Sequence, residues 1–190
     1  MAPILVMGLG NVILRDEGVG VHALQRLLER YVLPEGVEVI DAGALGLSLL
    51  AFLDGVEDVL IIDAVHTGRR SGTLVRFEGE EIARAEAMHL LPHDVRLQEL
   101  IALHGREGSS PQRLVLWGME PAVSEPGLEL TPECEARLDA LVDAVVQELR
   151  SWGVDVRPLQ GTSDPLREWR RWLPPVGWRT AIANRQQLIN

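Results

Sequence analysis

Four short apolar runs recur along the chain: "PILVMGL" from Pro3, "VEVIDAG" from Val37, "DVLIIDAV" from Asp58 and "RLVLWGM" from Arg113. Runs of this length with little alternation mark strands covered on both faces, as in a parallel sheet whose crossovers lay helices on either side. The intervening segments carry helical spacing. After Asp16, Val19, Leu24, Leu27 and Leu28 recur on one face until about Tyr31, ahead of Pro34. "TPECEARLDALVDAVVQELRSWG" opens on Thr131 with Pro132 at the first helical position, then aligns Leu138, Leu141, Val142, Val145 and Leu149. A short apolar helix is expected from about Leu47 to Leu53, a helix over "PHDVRLQELIALHG", and an edge strand at "GTLVRF". Strands alternating with helices imply an α/β domain: a three-layer α/β/α sandwich with a mostly parallel central sheet, of phosphorylase- or hydrolase-like type.

The 190 residues, 46% of them hydrophobic, suffice for one substantial core, so a single domain is expected over residues 1–157. From Pro158 the pattern dissolves into an irregular tail, residues 158–190, in which Trp169, Trp172 and Trp178 stand among arginines and prolines. Residues 157–190 hold six Arg against Asp164 and Glu168, a net +4, which leaves −14 of the total −10 on residues 1–156. An acidic body argues against nucleic acid as a partner, since that affinity needs clustered positive charge. All 18 cations are Arg. The lone Cys134 cannot form an internal disulfide, which suits the cytoplasm. No apolar stretch reaches the roughly 20 residues of a membrane-spanning helix, so no membrane insertion is expected.

In an open parallel sheet, functional groups collect beyond the carboxyl ends of the strands. Glu17 follows the first strand, Asp41 ends the second, Asp63 ends the third, and His93 opens a later helix. Each has a plain structural reading: Asp16 as a helix cap, Glu17 as a favourable charge in a first turn, Asp41 and Asp63 as loop anchors, His93 as a cap. Together, carboxylates and an imidazole form an ordinary oxygen and nitrogen donor set for a divalent first-row metal. His22, His66, His89 and His104 read as surface or satisfied histidines, and Cys134 as packed rather than reactive.

Standard alternatives fail. "GLGNVI" lacks the third glycine of a dinucleotide fingerprint, and Glu17 would set like charge beside a pyrophosphate. A chain without lysine has no Walker lysine. There is no HExxH, and Ser48 in "GLSLL" lacks the glycines of a nucleophile elbow.

Taken in order, "GLGNVILRDEGVG", "VEVIDAGALGLSLL", "VLIIDAV", "LPHDV" and "LVLWGMEPAVSEPGLELTP" resemble the nickel-iron hydrogenase maturation endopeptidases over roughly residues 3–156. The resemblance implies an enzyme that removes a C-terminal extension from the hydrogenase large-subunit precursor after nickel insertion. It implies nickel contact by Glu17, Asp63 and His93, the metal being supplied by the substrate, with Asp41 a further acid near the cleavage site. Glu17, Asp63 and, as a proton acceptor, Asp41 are then the catalytic candidates. Nickel either polarises the scissile carbonyl or activates water, or it only holds the peptide in register. Where relatives commonly carry "GGTxG", this chain has "AGALG", with Ala44 in the threonine position, so no threonine hydroxyl is available there. A free monomer is plausible. The tail either lies over the body or stays irregular, or else Arg167, Arg170, Arg171 and its three Trp dock the large subunit. Two other classes compete: a non-enzymatic nickel carrier using the same ligands, and a flavodoxin-like nucleotide-binding module, which fits the architecture but not the acids at the strand ends.

Overall fold

The computed structural model describes residues 3–43, 50–53, 55–91 and 111–159. Five strands form the main sheet: β1 (Ile4–Gly8), β3 (Val37–Asp41), β4 (Asp58–Ala64), β5 (Leu74–Glu78) and β6 (Arg113–Met119). Their order is β3-β1-β4-β6-β5, with β5 antiparallel to β6 at one edge and every other pairing parallel. The four apolar runs are therefore the four parallel strands, and "GTLVRF" is the antiparallel edge strand.

Alternation along each strand divides the interior into two layers. Ile4, Val6, Leu60, Ile62, Ala64 and Val115 face α1 (Val19–Arg30) and α4 (Pro132–Ser151), meeting Ala23, Leu24 and Leu27 of the first and Leu138, Leu141, Val142 and Val145 of the second. Leu5, Met7, Val59, Ile61 and Leu116 face the opposite way, toward Phe52 and Leu53 of α2 (Leu50–Leu53) and Ile82 of α3 (Glu80–Ala87). Helices on both faces make the expected three-layer sandwich. α4 begins as its sequence implies: Thr131 Oγ1 receives the Cys134 N–H at 3.4 Å, with Pro132 in the first turn.

Three elements escape sequence pattern. α3 carries only two buried residues, Ile82 and Ala85, too few to announce a helical face. The two-residue strands β2 (Tyr31–Val32) and β7 (Arg157–Pro158) pair antiparallel in a separate ribbon. The helix expected over "PHDVRLQELIALHG", and with it His93 and His104, lies outside the described residues, as do Ala44, Ser48 and the tail from residue 160. Among the described residues, no helix is long and apolar enough to cross a membrane.

Candidate active site at the carboxyl edge of the sheet

Glu17 reaches this edge through tight backbone packing. After β1 the chain turns at Gly10 (φ +138°), where a Cβ would stand 2.4 Å from the Glu17 carbonyl oxygen, so only glycine fits. The Asn11 N–H donates to that carbonyl at 3.1 Å, and Asn11 Oδ1 receives the Ile13 N–H at 3.3 Å. A 3-10 turn, Arg15–Gly18, then leads into α1 with Glu17 only 4% exposed. Two side chains meet its Oε1: His66 Nε2, at 2.8 Å, and the Ser124 hydroxyl, which donates to it. A carboxylate only accepts, so Nε2 carries the proton in this contact. Among the described residues, Oε2 is buried with no hydrogen-bond partner. Burying an acceptor in this way costs about 1–3 kcal/mol, and more when it is charged, a cost that a ligand at that oxygen would remove.

Asp63, near the end of β4, is 1% exposed, and its Oδ1 receives the N–H of Ala64 at 2.8 Å. Asp41 ends β3, and its Oδ1 receives the Gly43 N–H at 3.1 Å. Burial pushes the Asp41 carboxyl above the usual range, against the lowering effect of that bond. The register separates these two acids. Gly8 is level with Asp41 on one side and with Ile62 on the other. Asp63 therefore lies one residue further along and, by alternation, on the α2/α3 face, whereas Asp41 belongs to the α1 face. His93 falls outside the described residues. Among those described, no three His, Cys, Asp or Glu side chains group closely enough to hold a metal ion.

Asp16 corrects a sequence expectation. Neither the 3-10 turn nor α1 has a side-chain cap at its start, so Asp16 does not cap its own helix. Fully buried, it ties down a distant loop instead. Its Oδ2 accepts the N–H groups of Ala122 (2.9 Å) and Val123 (3.2 Å) and the Thr131 hydroxyl (2.8 Å), while Oδ1 accepts the Thr131 N–H at 2.7 Å. Burial raises its pKa, but these bonds together carry it below the usual carboxylate value.

Glu120, just past β6, is a buried acid the sequence reading passed over. It receives the Thr67 N–H (2.8 Å), the Thr67 hydroxyl (2.6 Å) and the Gly68 N–H (3.1 Å), so it fixes the segment that carries His66. Burial, the largest influence, raises its pKa, and these bonds outweigh it and bring the carboxyl below its usual range. The available signal was position: Glu120 follows an apolar run just as Asp41 and Asp63 end theirs. His66 and Ser124 carried no comparable signal. Cys134 is fully buried, and burial pushes its thiol pKa up, in keeping with an unreactive packed side chain.

The site thus offers a buried carboxylate, tied at one oxygen and open at the other, on the strand edge that also carries Asp63. An open carboxylate oxygen of this kind is a donor that a divalent cation can take. Comparison with known proteins identifies the family. The model of the hydrogenase maturation protease family matches residues 21–148. The hydrogenase 2 maturation protease of Escherichia coli is 33% identical over 162 residues, 85% of this chain and 99% of that one. The hydrogenase expression/formation protein HupD of Rhodobacter capsulatus is 37% identical over 155 residues, 80% and 74% of the two chains. Among solved structures, the hydrogenase maturating endopeptidase HybD from E. coli superposes with a TM-score of 0.76 at 33% identity, over 82% of this chain and 96% of that one. Fold and relatives define a peptide-bond hydrolase. The chain belongs to the hydrogenase maturation protease family.

Proposed function

We propose that this chain is the endopeptidase that removes the C-terminal extension of a nickel-iron hydrogenase large-subunit precursor, acting once nickel stands in the precursor. The observation that carries this reading is Glu17: a buried carboxylate whose Oε1 is tied and whose Oε2 has no partner among the described residues, in the fold shared with maturation endopeptidases. The metal arrives as part of the substrate, and Glu17, Asp63 and His93 are the side chains assigned to receive it. Nickel there would polarise the scissile carbonyl or acidify a water. Asp41 is the assigned proton acceptor, and its raised pKa brings it closer to the range in which a base works near neutrality.

One observation favours a second version of the chemistry. Because the register sets Asp41 and Asp63 on opposite faces of the sheet, the metal can hold the peptide in place while Asp41 takes no proton. The nickel-carrier alternative finds no counterpart among the relatives, whose activity-bearing names are those of proteases and endopeptidases. We place the reaction in the cytoplasm, with the free enzyme a monomer, checked by sedimentation.

The test is a processing assay with nickel-loaded and nickel-free precursor, read by intact mass. Wild type is expected to release the C-terminal peptide from the loaded form alone, and Glu17→Gln to release none. Nickel moving between proteins with no change in mass would replace the protease with a carrier. Asp41→Asn lowering turnover about 100-fold or more supports the base assignment; unchanged turnover moves the chemistry to the second version.

A further inference from the structure

Glu17 is gripped from two sides by residues far away in sequence. His66 comes from the segment after β4 and Ser124 from the loop after β6, and both point at the same oxygen. Each is itself anchored. Glu120 holds the backbone at Thr67 and Gly68, and the His66 N–H donates to the Leu90 carbonyl at 2.7 Å. Asp16, the neighbour of Glu17, holds the backbone at Ala122 and Val123, immediately before Ser124. The Asp16–Glu17 pair therefore grips one loop twice, once by its backbone and once by a hydroxyl.

We propose that His66 and Ser124 are positioning residues that hold Glu17 Oε1, so that Glu17 meets the divalent metal carried by the substrate through Oε2 alone. This rests on the function proposed above. The terminal torsion of a glutamate is soft and broad, so an unrestrained carboxylate swings and can chelate a cation with both oxygens. Two donors on Oε1 prevent both and leave one oxygen in a fixed direction. His66 is not a further ligand through Nε2, because that nitrogen is engaged by Glu17. Partners of this kind orient a ligand without touching the metal, and losing them typically lowers metal affinity or activity about 10- to 100-fold. Neither residue belongs to the core: Ser124 is exposed and the His66 side chain is 40% exposed, so replacing them leaves the packing intact.

The experiment compares the double variant Ser124→Ala/His66→Phe with Ser124→Thr/His66→Gln, which keeps two donors near Oε1. Immobilised protease is titrated with nickel-loaded and nickel-free precursor, alongside kcat, KM and thermal unfolding. Loss of both donors is expected to weaken capture of the loaded precursor and to lower kcat about 10- to 100-fold with capture of the nickel-free form unchanged, while the Tm falls because Oε1 becomes a second buried acceptor without a donor. The donor-keeping variant recovers most of the loss. Loaded-precursor capture within about twofold of wild type, or an equal loss for both precursor forms, overturns the proposal. Glu17→Gln separates the two levels. If it still prefers the loaded precursor, the nickel reading itself falls; if it loses that preference while the double variant keeps it, only the positioning role falls.

Discussion

Gly20 sits where α1 passes over the ends of β1 and β4. A Cβ there would stand 2.1 Å from the Ile62 carbonyl oxygen and 2.3 Å from that of Leu9. Gly20→Ala would gain about 1 kcal/mol of helix propensity. The clash is with backbone on both sides and cannot be relieved by a rotamer, so a net destabilisation of about 3 kcal/mol is expected in urea unfolding. Processing should fall as well, because the displaced helix carries the turn that holds Glu17. This explains the second glycine of "DEGVG" as a packing requirement, and Gly10 as a conformational one. Glu17 and Asp63 stood out in the sequence because acids beside apolar runs are rare enough to notice, and both are buried as such positions suggest. Asp16 was noticed but misassigned to its own helix. Ser124 and His66 were not legible as site residues, since their partner lies 107 and 49 residues away and no local pattern records it.

α4 shows the same contrast between elements. Its cap, its proline and its apolar face were legible because they repeat within one turn or a few. What it does for the sheet was not. Glu148, on α4, receives Arg76 of β5 at 2.8 and 2.9 Å, the Trp117 indole of β6 at 3.0 Å and the Trp152 indole at 3.2 Å. The bonds from Arg76, ahead of the opposing effect of burial, hold its carboxyl below the usual range. Glu148→Gln must turn an amide toward donors it cannot accept from. With Arg76 partly exposed to solvent, a loss of about 2 kcal/mol is expected in denaturant midpoints, with the processing rate preserved. α3 is the opposite case, opening after Gly79 at φ +52° with charged residues over much of its length. Short amphipathic turns of that sort bury too little to carry a periodic signal.

Over the whole molecule, acid stability follows from the depressed carboxyls. Asp16, Glu120 and Glu148 have folded pKa values below their ordinary 3.8 to 4.5. The stability they contribute is present above those ordinary values and is lost as pH falls through the folded ones. Asp41, raised by burial, acts oppositely: its cost is present at neutral pH and relieved in acid. With three such carboxyls against one among the described residues, the protein should unfold more easily as pH drops below about 4.5, and Asp16→Asn should flatten that slope while lowering stability at pH 7 by about 3 kcal/mol. Chemical unfolding at a series of pH values reads both. The architecture was already implied by local pattern, because burial on two faces writes continuous apolar runs, and helices packed on them write a 3.6-residue period. The strand-edge rule then pointed to Glu17, Asp41 and Asp63 before any coordinates. Which acids share a face, which oxygen of Glu17 is left open, and what holds it there depended on register and on contacts between segments as many as 115 residues apart. Such contacts follow from how the chain closes in three dimensions, and a sequence records only the residues that will meet.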